Sequence, residues 1–292
     1  MSARAEDAFR ADIVEVGRRM YARGYVASND GNISIRLDDS TILTTPKSVS
    51  KGFMTADMMV VVDLDGTKIR GTRDASSELL MHLEVYKNRP DVRAVVHAHP
   101  PTATGFAVAG IPLDRAVLAE VVTTLGSIPI AEYGTPSTPE LPAAVRKYIK
   151  AYDGLLLANH GALTMGPDVF AAYYKMETIE HFAKISLVAR QLGREHLLSR
   201  EEVTRLQDLR GNYGIKSPAP ICADPSTSSG SSGAESSDDP ANCQIVQAPS
   251  AHGARLIPSD PADLDGEIRL SYRELTALIE DAVKALLGGQ HG

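Results

Sequence analysis

Cysteine is nearly absent from the chain, with only Cys222 and Cys243 among 292 residues. That excludes a disulfide-stapled secreted domain and a cysteine-rich zinc site, so any metal has to be held by imidazoles and carboxylates. No apolar run reaches the ~18–20 residues of a membrane span. Residues 1–10 mix charge with small side chains and lack the apolar core of a signal peptide. The expectation is a cytoplasmic protein with no membrane partner. Positive charge is not in excess either, since 30 Lys+Arg stand against 37 Asp+Glu for a net charge of −7. With a pI near 5.6, a dedicated nucleic-acid binder is disfavoured. Internal repeats are missing too. What remains, 43% hydrophobic and 23% charged, is a globular composition that rules out wholesale disorder and fibrous architecture.

The composition breaks near Ser217. Residues 217–265 are dominated by Ser, Pro, Gly, Ala and Asp, with too little apolar surface to offset the entropy of ordering. They are expected to tether a domain of residues 1–216 to a tail of residues 266–292. Within the domain, Phe9, Ile13, Val16 and Met20 recur at helical spacing. Short strands are expected at 31–37, 41–45 and 58–63, before the turn Asp65-Gly66. Ser76 and Ser77 are N-cap candidates for a helix carrying Leu79, Leu83 and Tyr86 and ending before Pro90. A strand over 92–99 is stopped by Pro100-Pro101. A helix over 139–152 leads into a buried strand over 154–159. The long helix after Pro167 presents Val169, Tyr173, Met176, Ala183 and Leu187 on one face. Ser199 with Glu202 makes a capping box for the next. Strands interleaved with helices make the class α/β, with a sheet covered on both faces.

Side chains two apart on a strand share a face, so His97 and His99 project together from a strand end. His160 ends another apolar strand and is followed by Gly161, while Glu78 opens the Ser-capped helix. Three imidazoles and a displaceable carboxylate suit a tetrahedral zinc site. A lone His-x-His is more often decoration than a ligand pair. Here both His-bearing strands end abruptly, and α/β sites gather at strand ends. His82, one helical turn from Glu78, reads as a packing residue, and Glu177 with His181 as a solvated pair.

Taken together, Asp30-Gly-Asn-Ile-Ser34, Ser76-Ser-Glu78, His97-Ala-His-Pro100 and Asn159-His-Gly161 resemble the class II sugar-phosphate aldolase, epimerase and adducin-head family. The resemblance covers roughly residues 8–214. It implies a three-layer α/β/α fold with a central mixed sheet, and a homotetramer with active sites between subunits. It makes His97, His99 and His160 the zinc ligands and Glu78 both fourth ligand and base. Adducin-like members lack metal ligands that are present here, and epimerases usually carry Asp where Glu78 stands, so the aldolases of the fuculose-1-phosphate type are the nearest branch. The implied substrate is a ketose 1-phosphate cleaved to dihydroxyacetone phosphate and an aldehyde. By the same resemblance its phosphate is held by Asn32, Ser76, Ser77 and the loop bearing Lys47 and Ser48. Donors at a helix N-terminus suit a phosphate on physical grounds as well.

Two departures stand out. The phosphate loop reads Thr45-Pro-Lys-Ser48 where these aldolases have Thr-Pro-Thr-Gly or Thr-Pro-Ser-Gly; Lys47 either adds a charged contact or points to solvent. The tyrosine proton donor of the fuculose-phosphate enzyme has no counterpart in residues 111–129. Glu120 stands there, either as the acid or as an exposed helix carboxylate, and Tyr213 resembles a tail tyrosine that reaches the neighbouring subunit's site. In the tail, Ser271 with Glu274 forms a second capping box, and Leu275, Leu278, Ile279, Ala282 and Leu286 make an apolar stripe. A marginal helix on a flexible tether resembles the encapsulation peptides that bring cargo enzymes to bacterial microcompartment shell proteins. Docking on its own oligomer is the alternative.

Overall fold

A helix with the apolar stripe Ile13, Val16 and Met20 begins the fold, because those side chains need a surface to cover and the sheet supplies it. In chain order the elements are α1 (Ala3–Ala22), β1 (Asn32–Arg36), β2 (Thr41–Thr44), β3 (Val60–Asp63), β4 (Lys68–Arg70), α2 (Leu79–Asn88), β5 (Ala94–Ala98) and α3 (Pro101–Val108). There follow α4 (Ala119–Thr124), β6 (Ile130–Ala131), α5 (Glu140–Arg146), β7 (Gly154–Leu157), β8 (Gly161–Gly166), α6 (Val169–Gln191) and α7 (Arg200–Leu209). The structure is a computed structural model and describes residues 3–215 and 220–221. The tail with its expected helix, both cysteines and all of the tether except Pro220 and Ile221 lie outside the described residues. Pro220, placed by composition in the tether, accepts a hydrogen bond from the Ser127 amide.

The strands form one eight-stranded sheet in the order β4-β3-β2-β1-β5-β8-β7-β6. Only β6 and β7 run parallel; every other pairing is antiparallel. The sheet is mixed and covered on both faces, as expected. One apolar layer packs α1, α3 and α6 on it through residues such as Phe106, Met176 and Phe182. The other packs α2 and α5 through Leu83, Val145 and Ile149. The central strands β5 and β8 are buried along their whole length. Each large apolar side chain so buried contributes roughly 1.5–3 kcal/mol, which is why these strands carry the site.

Several local expectations are corrected. Neither Ser76 nor Ser77 caps α2. The N-cap position is Glu78, whose side chain makes no cap bond, while Ser76 accepts only a long 3.4 Å bond from the Glu78 amide. The stop at Pro100-Pro101 also opens α3, whose first residue is Pro101, a position that needs no N–H. His160 lies in the turn of a hairpin, since the chain reverses into β8 instead of ending a strand. The helix begun near Pro139 stops at Arg146. Leu187 of α6 is 41% exposed, outside the buried face formed by Val169, Tyr173, Met176 and Ala183. Glu177 does not pair with His181; it binds Arg23 at 2.6 Å and the Tyr173 hydroxyl.

Far from the His-bearing strand ends, a charged cluster is buried. Arg89 donates to Asp153 at 2.9 Å and to the Ile149 carbonyl, and Lys175 meets the other Asp153 oxygen at 2.6 Å. Two cations thus share one buried carboxylate between α2, β7 and α6. Removing one partner of a buried pair leaves an uncompensated charge and typically costs about 3–5 kcal/mol. Asp153→Ala is therefore expected to lower stability by about that much in urea denaturation. Asp74→Ala, which removes an exposed partner of Lys68, is expected to leave the midpoint where it is. Equal midpoints for both variants would contradict this reading of the cluster.

Candidate metal centre

Three adjacent central strands, β1, β5 and β8, set the positions of the site. Asn32 and His97 are directly opposite in the β1–β5 pairing, so their side chains share a face. His99 follows two residues on, where the strand leaves the sheet, and its amide donates to the Tyr25 carbonyl at 2.9 Å. His160 arrives from the β7–β8 turn, with Asn159 at a φ of +54°. Gly161 is what permits that approach. A Cβ there would stand 2.5 Å from the Ala98 carbonyl oxygen, 2.6 Å from the His99 ring and 3.3 Å from the His97 ring. Any side chain at this position would force the hairpin away from both imidazoles.

The result is a cluster of three rings with centroids 4.8–5.0 Å apart and ligand atoms within 4.8 Å of one another. Glu78 closes it. One carboxylate oxygen is 3.0 Å from His160 Nε2, and the other is 3.4 Å from His97 Nε2 and accepts 2.9 Å from Asn32 Nδ2. Burial pushes the Glu78 carboxyl up, but the His97 and His160 rings outweigh it and hold the group well below the usual carboxylate range. Burial draws His97 down, and the Glu78 charge more than reverses this. Burial, with His97 and His160 beside it, takes His99 down to about 3. A neutral His99 keeps a lone pair free.

The donor set fits a metal ion. His97 Nδ1 lies 2.9 Å from the Ala162 carbonyl, which can only accept, so the neutral ring carries its lone pair on Nε2. His99 turns Nδ1 toward Asp30 at 3.5 Å, which leaves Nε2 facing the His97 Nε2 at 3.1 Å. Lone pairs and a carboxylate facing one another at this range are satisfied by a shared cation. The carbonyl behind His97 and the carboxylate behind His99 are the outer partners that orient ligating imidazoles.

Beneath the cluster, β1 and α2 are joined by a polar ladder absent from the sequence reading. Asn32, Ser34 and Arg36, spaced by two along the strand, meet Glu78, His82 and Tyr86, spaced by four along the helix. Two strand residues span about 6.7 Å and four helical residues about 6 Å, so the periods nearly match. His82 is buried as a packing residue. Its Nδ1 is 2.7 Å from Ser34 Oγ, its Nε2 has no partner, and burial takes it down to about 3.

The remaining candidates scatter around this centre. The Thr45–Ser48 loop is stitched beside Ser76, since Lys47 N donates to the Asp74 carbonyl and Ser76 N to that of Thr45. Lys47, Ser48 and Ser77 are exposed and Ser76 half-buried. Asn32 is buried and already engaged with Glu78. Glu120 is exposed and lines a cavity of about 800 Å³ with Arg23, Tyr25, Thr102 and His181, a lining that includes none of the three imidazoles and not Glu78. Tyr213 is 68% exposed. Neither Glu120 nor Tyr213 joins the cluster within one chain.

The family model of the class II aldolase and adducin N-terminal domain matches residues 11–187. A 3-oxo-tetronate 4-phosphate decarboxylase of Pectobacterium atrosepticum is 33% identical over 191 residues, 64% of this chain and 87% of that protein. An L-fuculose phosphate aldolase of Methanococcus maripaludis is 34% identical over 181 residues, 62% of this chain and 97% of that one. A solved L-fuculose 1-phosphate aldolase superposes with a TM-score of 0.66 at 28% identity, over 71% of this chain and 96% of its own.

Proposed function

The chain belongs to the class II aldolase and adducin family, and on that premise we propose that it is a zinc-dependent enzyme cleaving a ketose 1-phosphate. Such a substrate is L-fuculose 1-phosphate or L-rhamnulose 1-phosphate, and the products are dihydroxyacetone phosphate and an aldehyde such as lactaldehyde. The observation that carries the reading is Glu78, a carboxylate held between His97 and His160 and oriented by Asn32. All three imidazoles are present, which favours an enzyme over a binding module, and Glu in place of Asp favours the aldolase branch over an epimerase.

In this proposal His97, His99 and His160 hold the ion, with Glu78 as a fourth, displaceable ligand. A bound divalent ion supplies Lewis acidity for the substrate carbonyl. The chain's own groups do the rest. Cleavage breaks one carbon–carbon bond and leaves its electron pair on the dihydroxyacetone phosphate fragment as an enediolate. Glu78 carries the proton that this carbon then takes up. Asn32 Nδ2 holds one Glu78 oxygen at 2.9 Å, and the other faces His160 Nε2 at 3.0 Å. Ser76 and Ser77, beside the loop bearing Lys47 and Ser48, offer donors to the phosphate. Glu120, exposed, is assigned to proton transfer at the leaving aldehyde, taking the hydroxyl proton that the departing fragment gives up, and Tyr213, also exposed, to the site of the neighbouring subunit in a homotetramer. The relatives named as decarboxylases make a 3-oxo acid phosphate the competing substrate, since loss of carbon dioxide leaves a similar enediolate.

A coupled assay for dihydroxyacetone phosphate over fuculose, rhamnulose and 5-deoxyribulose 1-phosphates tests this directly. Glu78→Gln is expected to keep its metal and lose on the order of 10²-fold or more in turnover. A Gln variant near the wild-type rate would move the base elsewhere, and release of carbon dioxide from a 3-oxo-tetronate 4-phosphate, with no cleavage of the ketose 1-phosphates, would replace the aldolase by the decarboxylase.

The tail, residues 266–292, is proposed as an encapsulation peptide that places the enzyme in a microcompartment lumen within the cytoplasm. Its support is the apolar stripe beyond a polar tether. Deleting residues 261–292 is expected to leave metal content and specific activity unchanged, while the same segment fused to a fluorescent protein gathers at shells. Loss of turnover or of the oligomer on truncation would assign the tail to the enzyme itself.

A further inference from the structure

Lys51 is a cation in an unexpected place. It opens the short 3-10 turn Lys51–Phe53 and is 2% exposed. Its ammonium donates to two backbone carbonyls, Asn29 at 3.0 Å and Val49 at 2.7 Å. Among the described residues it makes no ion pair with a carboxylate. Burial draws it down to about 8, offset in part by the charges of Asp30 and Glu78. A buried ammonium held only by neutral carbonyls costs stability, and an apolar residue of similar shape would pack there at least as well. The charge therefore has a use beyond folding.

Its two acceptors say where. Asn29 begins the turn that carries Asp30, behind His99, and Asn32, on Glu78. Val49 directly follows the Thr45–Ser48 loop, which is stitched to Asp74 and Ser76. One ammonium thus grips both loops from below, and two of its three N–H groups are committed to them. The carboxylates that feel it, Asp30 and Glu78, lie on the side of the metal centre.

We propose that Lys51 is a positioning residue of the phosphate subsite, pinning the Asn29–Asn32 turn to the Thr45–Val49 loop and supplying the fixed positive charge that a phosphorylated substrate balances. This rests on the phosphorylated-substrate reading above. The charge makes the subsite selective for a dianion over the unphosphorylated sugar. It leaves the metal centre intact, because Lys51 touches none of the three imidazoles.

The experiment uses the purified full-length chain with Lys51→Met, which removes charge and donors, and Lys51→Gln, which removes the charge but keeps two N–H donors. Both are expected to raise KM for the sugar phosphate about tenfold or more, the weight of a charge-assisted contact, with kcat changed far less. Inhibition by inorganic phosphate weakens by a similar factor, while metal content holds. Lys87→Met, which removes an exposed charge, serves as control and leaves KM unmoved. Wild-type KM and wild-type phosphate inhibition in both variants would overturn the proposal while leaving the substrate reading in place. A wild-type KM in Lys51→Gln alone would overturn the role of the charge. If the wild-type chain cleaves no sugar phosphate and inorganic phosphate does not inhibit it, the substrate reading fails, and the role of Lys51 with it.

Discussion

Everything in this fold answers to one electrostatic constraint. His97 Nε2 and His99 Nε2 face each other across 3.1 Å, both lone pairs when each neutral ring carries its proton on Nδ1, and Glu78 sets a carboxylate against His97 and His160 in the same space. Acceptors crowded in this way repel unless a cation sits among them, and each has been partly removed from water. The surrounding structure must hold them there against that repulsion. Rigid central strands serve this better than surface loops do. The cluster accordingly hangs from β5 and the β7–β8 turn in the middle of an eight-stranded sheet.

The support is layered. Asp30 and the Ala162 carbonyl fix two of the rings from behind. The polar ladder between β1 and α2 fixes Glu78 from below, because Asn32, Ser34 and Arg36 engage successive turns of the helix. Glu180 adds a further brace. Its buried carboxylate accepts from the amides of Thr102 and Ala103 and from the Thr102 hydroxyl, so it caps α3 just after His99. The carboxylate satisfies donors that a helix start otherwise leaves unpaired, and α3 in turn fixes the exit of the His97–His99 strand.

Much of this was legible in the sequence where a single period or spacing suffices. The two-residue step from His97 to His99 places both on one strand face, and Ser199 with Glu202 forms the expected capping box. The stripe Ile13, Val16, Met20 is buried as its spacing requires. What escaped depends on tertiary partners. Along β1 the alternation of Asn32, Ser34 and Arg36 names no partner until α2 is known to cover it with matching polar groups. β8 begins and ends on glycine and follows β7 after a three-residue turn, so its composition does not set it apart from a loop. Pro100-Pro101 reads as a stop, although Pro101 also suits the first position of α3. The burial of Lys51 follows from two loops folding over it, and no local pattern reports that.

Zinc-edge X-ray absorption on the purified, zinc-loaded chain tests the central claim most directly. The expected first shell is about four nitrogen and oxygen neighbours at roughly 2.0–2.2 Å, three of them with the outer scattering of imidazole rings. That pattern should vanish with the bound metal in a His97→Ala variant. A shell without imidazole scattering, or full metal content after loss of His97, would contradict the account.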